Sequence, residues 1–241
     1  MACGRPALRG CACGSGGPLI STLALITTCD QGENMPHPTK QPVHIFWDNS
    51  NIYIPAQEVA ANREGVFAAK EIRIHFDHLY QLARAGRPVI RSLCVGSVPP
   101  EMDTVWKSLR ASGVAVELFE RGADSGAEQG VDQCLQVHML RALADADEPG
   151  VAVLLTGDGA GYDSGAGFHA DLERMHKRGW GVEVLSWDHS CNRRLKAWAQ
   201  TNGVFIALDK HFEQVTFRAG IRQERMVSLT HRGRAIPRVT Q

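Results

Sequence analysis

Between about residues 43 and 208 the chain alternates between two hydrophobic rhythms. Short, mainly apolar runs at 43–47, 88–95, 114–119, 151–155, 182–187 and 204–208 read as strands. Between them, apolar positions fall three and four apart, the spacing that lines one face of a helix. Residues 70–85 place Ile72, Phe76, Leu79, Leu82 and Ala83 in this way, and Gly86 stops the helix. Further helices are predicted over 101–112, 131–146, 168–177 and 192–201, the last capped by Ser190, with Gly113, Gly179 and Gly203 closing three of them. Residues 55–69 lack such a period and read as a loop or irregular insertion. Gly-rich loops are expected at 122–130 and 157–167. The strands are continuous Val, Ile and Leu runs, as in a sheet covered on both faces. Strand–helix alternation with right-handed crossovers then gives a three-layer α/β/α sandwich with a mostly parallel central sheet.

Composition narrows this picture. Of 241 residues 44% are apolar, enough for one substantial core. Lys+Arg and Asp+Glu stand at 26 each, so overall charge gives no case for nucleic acid, which must rest on local patches. One such patch is Arg218, Arg222, Arg225, Arg232, Arg234 and Arg238, opposed only by Glu224; it is either a solvated tail or an RNA contact. The expected division is residues 1–42 as a leader outside the fold, 43–210 as the folded domain and 211–241 as a basic extension. Pro18 to Thr28 is a short apolar run after Arg5 and Arg9 that resembles a secretory h-region but is not followed by a clean A-x-A-like cleavage site, and Met35 is an alternative start. Cys94, Cys134 and Cys191 read as small buried residues of a reduced, cytoplasmic protein. Cys11 and Cys13 lack a partner pair for zinc.

In a parallel sheet, ligands bind beyond the carboxyl ends of the strands. Four acids fall there: Asp48 after the first strand, Asp132 in the first turn of the 131–146 helix, Asp158 after 151–155, and Asp188 after 182–187. Gathered carboxylates repel unless a cation neutralises them, and hard oxygen ligands favour Mg²⁺ or Mn²⁺. Each acid also has a structural reading. Asp48 and Asp158 lie in turn-rich sequence, Asp132 is favoured by a helix dipole, and Asp188 reads as a turn residue. It is the coincidence of position that points to chemistry. The loop at 157–167 is either a phosphate-contacting loop or a surface loop, and it lacks the Lys of a Walker-type loop.

The residues Ile45-Phe46-Trp47-Asp48-Asn49-Ser50-Asn51-Ile52-Tyr53 resemble the opening strand of NYN domains, the LabA-like branch of PIN-like nucleases. Gly130-Val131-Asp132 resembles the second signature of that family, and Leu154-Leu155-Thr156-Gly157-Asp158-Gly159 its third. Later pieces, Gly181-Val182-Glu183-Val184 and Phe205-Ile206-Ala207-Leu208, follow in the expected order, so the likeness covers nearly all of 43–208. The resemblance implies a PIN-like fold and metal-dependent RNA cleavage, with Asp48, Asp132 and Asp158 as metal ligands and catalytic acids. It also implies Asn51 and Thr156 as polar companions. Two departures stand out. Where many members carry a second Asp in the 131–146 helix, this chain has His138. Where many read Gly-Asp-x-Asp-Phe, it has a Gly-rich insertion containing Asp163, a candidate replacement ligand.

The expected function is therefore a Mg²⁺- or Mn²⁺-dependent ribonuclease, with RNA as partner and a homodimer left open. Gly159, Arg193 and Arg194, with Arg121, are candidate substrate contacts, and His138 and His169 are candidate metal or phosphate contacts. The competing expectation is a catalytically degenerate PIN-like module that binds RNA or a protein. A HAD-type phosphohydrolase lacks its Asp-x-Asp after the first strand, and a Rossmann module lacks its glycine-rich turn there.

Overall fold

A computed structural model of the chain describes residues 41–97, 103–119 and 130–219. The leader at 1–40, Arg121 with most of the 122–130 loop, and the arginines from Arg222 onward lie outside the described residues. In chain order the elements are β1 (Val43–Asp48), α1 (Asn49–Glu64), α2 (Val66–Glu71), β2 (Ile72–Ile74), α3 (Phe76–Arg84), β3 (Val89–Ser97), α4 (Asp103–Ala111) and β4 (Ala115–Phe119). There follow α5 (Val131–Asp145), β5 (Val151–Leu155), α6 (Gly167–Lys177), β6 (Gly181–Ser186), α7 (Arg193–Asn202), β7 (Val204–Ala207), α8 (Phe212–Val215) and β8 (Thr216–Arg218).

Six strands form one parallel sheet in the order β4-β3-β1-β5-β6-β7. Because side chains alternate across a strand, the two central strands feed two cores. Ile45 and Trp47 of β1 and Val151, Val153 and Leu155 of β5 face one layer with α1, α3 and α4. Phe46, Ala152 and Leu154 face the other, packed by Leu135 and Met139 of α5, Leu172 of α6 and Leu195 of α7. This is the three-layer α/β/α architecture with a parallel central sheet that the apolar runs predict. Among the described residues no helix is long and apolar enough to cross a membrane.

Three local expectations are corrected. Residues 55–69 are mainly helical, not a loop. Ile52, Pro55, Ala56, Val59 and Ala60 do keep helical spacing on the buried face, but alanines and a proline give it little apolar contrast. The small side chains let α1 lie close to the sheet, and Trp187 ties it down by donating its Nε1–H to the Ile52 carbonyl at 2.8 Å. The helix predicted over 70–85 begins only at Phe76. Residues 72–74 instead pair antiparallel with β8, a partner far along the chain that no local pattern reveals. Finally, Asn192 rather than Ser190 caps α7, its side chain accepting from the Arg194 and Leu195 amides at 3.0 and 3.3 Å.

The strand order fixes where a ligand fits. From β1 the chain moves outward through β3 to β4, then returns to place β5 on the opposite side of β1. Strand order therefore reverses between β1 and β5, and the loops leaving their carboxyl ends diverge to open a crevice.

Candidate active site at the carboxyl edge

Asp48 stands at that switch point, the last residue of β1 and 1% exposed. It caps α1, accepting from the backbone amides of Ser50 at 3.1 Å and Asn51 at 3.2 Å. The Asn51 side-chain amide donates to its other oxygen at 2.5 Å. Asn51 thus orients the carboxylate and holds one oxygen by a strong charge-assisted bond. The charge of Asp48 is felt on the neighbouring strand. Burial pushes the Cys94 thiol well above its ordinary range, and Asp48 pushes it further.

Across the crevice, Trp47 registers with Leu155, so the next residue of β5's exit, Thr156, comes level with Asp48. Thr156 is fully buried, and its Oγ1 accepts from the Asp158 amide at 3.2 Å. Asp158 is half-buried and closes an Asx turn, its Oδ1 accepting from the Ala160 amide at 2.9 Å. Asp132 lies in the first turn of α5, which packs on β1 and β3. As the helix of a crossover from β4, α5 presents that turn at the carboxyl edge.

The structure thus brings Asp48, Asp132 and Asp158 to one edge at the reversal of strand order. The three do not form a trio of ligand atoms within 4.8 Å of one another. Among the described residues, the trio of ligand atoms lying within 4.8 Å of one another is Glu117, Cys134 and His138. Mg²⁺ keeps several waters and takes few carboxylates directly, so it does not require the three to touch. The donors fit as well: carboxylates, the Thr156 hydroxyl and the Asn51 amide carbonyl are hard oxygens.

The Gly-rich segment is tightly built. A Cβ on Gly159 would stand 2.4 Å from Asn192 Cγ, and one on Gly167, at φ +81°, would stand 1.9 Å from the Ala160 carbonyl oxygen. Glycine is required at both positions because the loop folds onto α7 and onto itself. Residues 159–164 and 192–194 line an open recess of about 610 Å³ beside Asp158. Asp163 is one of the residues lining this recess. It is exposed, and its carboxylate is engaged by the Arg194 guanidinium. That pairing also occupies Arg194, leaving the exposed Arg193 as the recess's other guanidinium. The expected phosphate cradle at the start of α6 is partly used internally, since the Gly167 amide donates to Gln136 Oε1 at 3.1 Å.

The remaining candidates separate. Asp188 accepts from Lys196 at 2.6 Å, a turn residue with its own counter-charge. His169 is buried in α6, stacked on Tyr162 at 4.0 Å, with Nε2 3.6 Å from Glu173. Burial lowers its pKa. Its ring packs the Gly-rich loop against α6 through Tyr162. His138 faces Glu117 at 3.0 Å, and Cys134, expected to be simply buried, donates its thiol to the same carboxylate at 3.0 Å. Sequence reasoning missed Glu117 and Asn192. The signal for Glu117 was a lone acid inside the apolar run at 114–119, and for Asn192 an Asn placed one residue before a helix.

A search of curated proteins found no match. The NYN domain model, by contrast, matches residues 42–209, a span containing Asp48, Asp132, Asp158 and all six strands of the parallel sheet. The chain belongs to the NYN domain family, whose members are PIN-like nucleases.

Proposed function

We propose that this protein is a metal-dependent ribonuclease whose site is the crevice between β1 and β5. The observation that carries the reading is the placement of Asp48 and Thr156-Gly157-Asp158 on either side of the one reversal in strand order, with Asp132 at the same edge. Asp48, Asp132 and Asp158 would hold Mg²⁺ or Mn²⁺. When bound, such an ion lowers the pKa of a coordinated water and offsets charge on a phosphodiester. The chain's own contribution is orientation. Asn51 fixes the Asp48 carboxylate, Thr156 anchors the turn that carries Asp158, and Arg193 faces the recess through which an RNA backbone would run. Hydrolysis forms one P–O bond from water and breaks one to a ribose oxygen, which leaves with a proton.

The test is cleavage of a mixed single-stranded RNA in Mn²⁺ or Mg²⁺, and again in EDTA, with Asp48→Asn and Asp158→Asn alongside. Both substitutions keep the side chain's size and one acceptor oxygen, so the turns they close should survive. The expected result is metal-dependent cleavage that each variant loses by more than the roughly 10–100-fold typical of an outer-shell residue. The pairing of Asp163 with Arg194 favours a second reading, a module that binds RNA or a protein without cutting. Folded, metal-loaded protein that binds RNA but leaves it intact would establish that reading instead.

A further inference from the structure

We infer that Glu117, Cys134 and His138 form a second metal site, one that takes a thiolate-binding ion of the zinc class and clips the sheet's edge strand to α5. The three ligand atoms lie within 4.8 Å of one another. Cys134 and His138 are four residues apart on α5 and so share one helix face. The third ligand arrives from β4, the edge strand of the parallel sheet. The Glu117 carboxylate already bridges the other two. It accepts the Cys134 thiol through Oε2 at 3.0 Å and lies 3.0 Å from His138 Nε2 through Oε1.

That arrangement is close to what a tetrahedral ion requires. With bonds of about 2.0 Å to nitrogen and oxygen and about 2.3 Å to sulfur, ligand atoms stand roughly 3.3–3.8 Å apart. Ligand atoms that already lie within 4.8 Å of one another need to close by about 1–1.5 Å at most to admit the ion. The donor set selects its class. A thiolate and an imidazole are poor ligands for Mg²⁺ and good ones for Zn²⁺, with the carboxylate completing a three-residue set and water filling the fourth position. Binding replaces the thiol proton with a metal–sulfur bond and releases that proton to solvent, while the imidazole binds through its neutral Nε2.

The site is distinct from the aspartate crevice. Cys134 is two residues beyond Asp132, and side chains so spaced on a helix do not face each other. The inference stands independently of the ribonuclease reading.

The experiment uses the full chain, stripped of metal with a chelator and titrated with Co²⁺, whose bond to a thiolate gives a near-ultraviolet charge-transfer band. The expected result is one Co²⁺ per chain with that band, displaced by Zn²⁺ but not by Mg²⁺. Cys134→Ser should abolish the band, and His138→Gln and Glu117→Gln should each weaken Co²⁺ binding at least tenfold, while Asp48→Asn leaves the band in place. Circular dichroism confirms that each variant is folded. No charge-transfer band in the folded wild type would overturn the site. So would a band that survives Cys134→Ser, since the thiolate would then come from Cys3, Cys11, Cys13, Cys29, Cys94 or Cys191.

Discussion

The residue that ends β1 is also the cap of α1, so in the proposed site Asp48 would perform two tasks with one carboxylate. An Asn there preserves an acceptor for the cap while removing the negative charge, so its effect on activity can be separated from its effect on the helix. A different residue at the opposite end of the same strand sets acid stability. His44 is 5% exposed, packed edge-on against Trp180 at 4.8 Å, and its Nδ1 has no hydrogen-bond partner. Burial, reinforced by the Arg91 charge, lowers its pKa to about 4. Between the ordinary value of about 6.5 and about 4, the unfolded chain accepts a proton that the folded chain refuses. Stability therefore falls as pH drops through this window, by up to about 3 kcal/mol, and owes nothing to His44 above it. His44→Phe keeps a ring against Trp180 and removes the proton site. Its thermal midpoint should fall less between pH 7 and pH 4.5 than that of the wild type. Equal falls would mean that His44 protonates as readily in the folded protein as in the unfolded one.

Between elements, the strongest polar tie is Arg87 with Glu183, which joins the loop after α3 to the middle of β6. Glu183 is fully buried and Arg87 nearly so, and the guanidinium meets the carboxylate through two bonds of 2.6 and 2.9 Å. Arg87 also donates to the Arg84 and Ala83 carbonyls, at 3.0 and 3.2 Å. Removing one partner strands a buried charge, so Glu183→Gln should cost about 3–5 kcal/mol in chemical denaturation. Replacing both, as Arg87→Met with Glu183→Leu, should recover much of that. A single-variant cost under about 1 kcal/mol would show that water reaches the pair. Such ties are what sequence pattern cannot display. The parallel sheet was legible because β1, β5 and β6 are mainly apolar runs, and the placement of the aspartates at its carboxyl edge because each lies at or just after a strand's end or opens a helix. α1 was hidden by its alanines, and β2 by a partner more than 140 residues downstream. The trio of Glu117, Cys134 and His138 was hidden because β4 and α5 meet only after the 120–129 connection has been crossed.

Taken whole, the molecule has equal numbers of acidic and basic residues, so attraction to RNA must come from where the charges are placed. Two basic groups near the fold are already committed: Arg194 pairs with Asp163, and Arg218 pairs with Glu64 at the end of α1. The pairing removes Arg218 from the basic cluster noted in the sequence and leaves Arg222, Arg225, Arg232, Arg234 and Arg238 to meet phosphates. Each phosphate neutralised on a single strand releases counterions and contributes about 0.7 to the slope of log affinity against log salt. Changing all five arginines to Gln should therefore flatten that slope by up to about 3.5, measured by fluorescence anisotropy with single-stranded RNA across a salt series. The same variant should raise KM and leave kcat unchanged, because the aspartate edge is intact and only the encounter is weakened. An unaltered slope would exclude the extension from the RNA path and assign the phosphate contacts to Arg193 and its neighbours at the recess. A drop in kcat together with the flattened slope would instead place the extension over the crevice itself, contacting the scissile region as well as the flanking backbone.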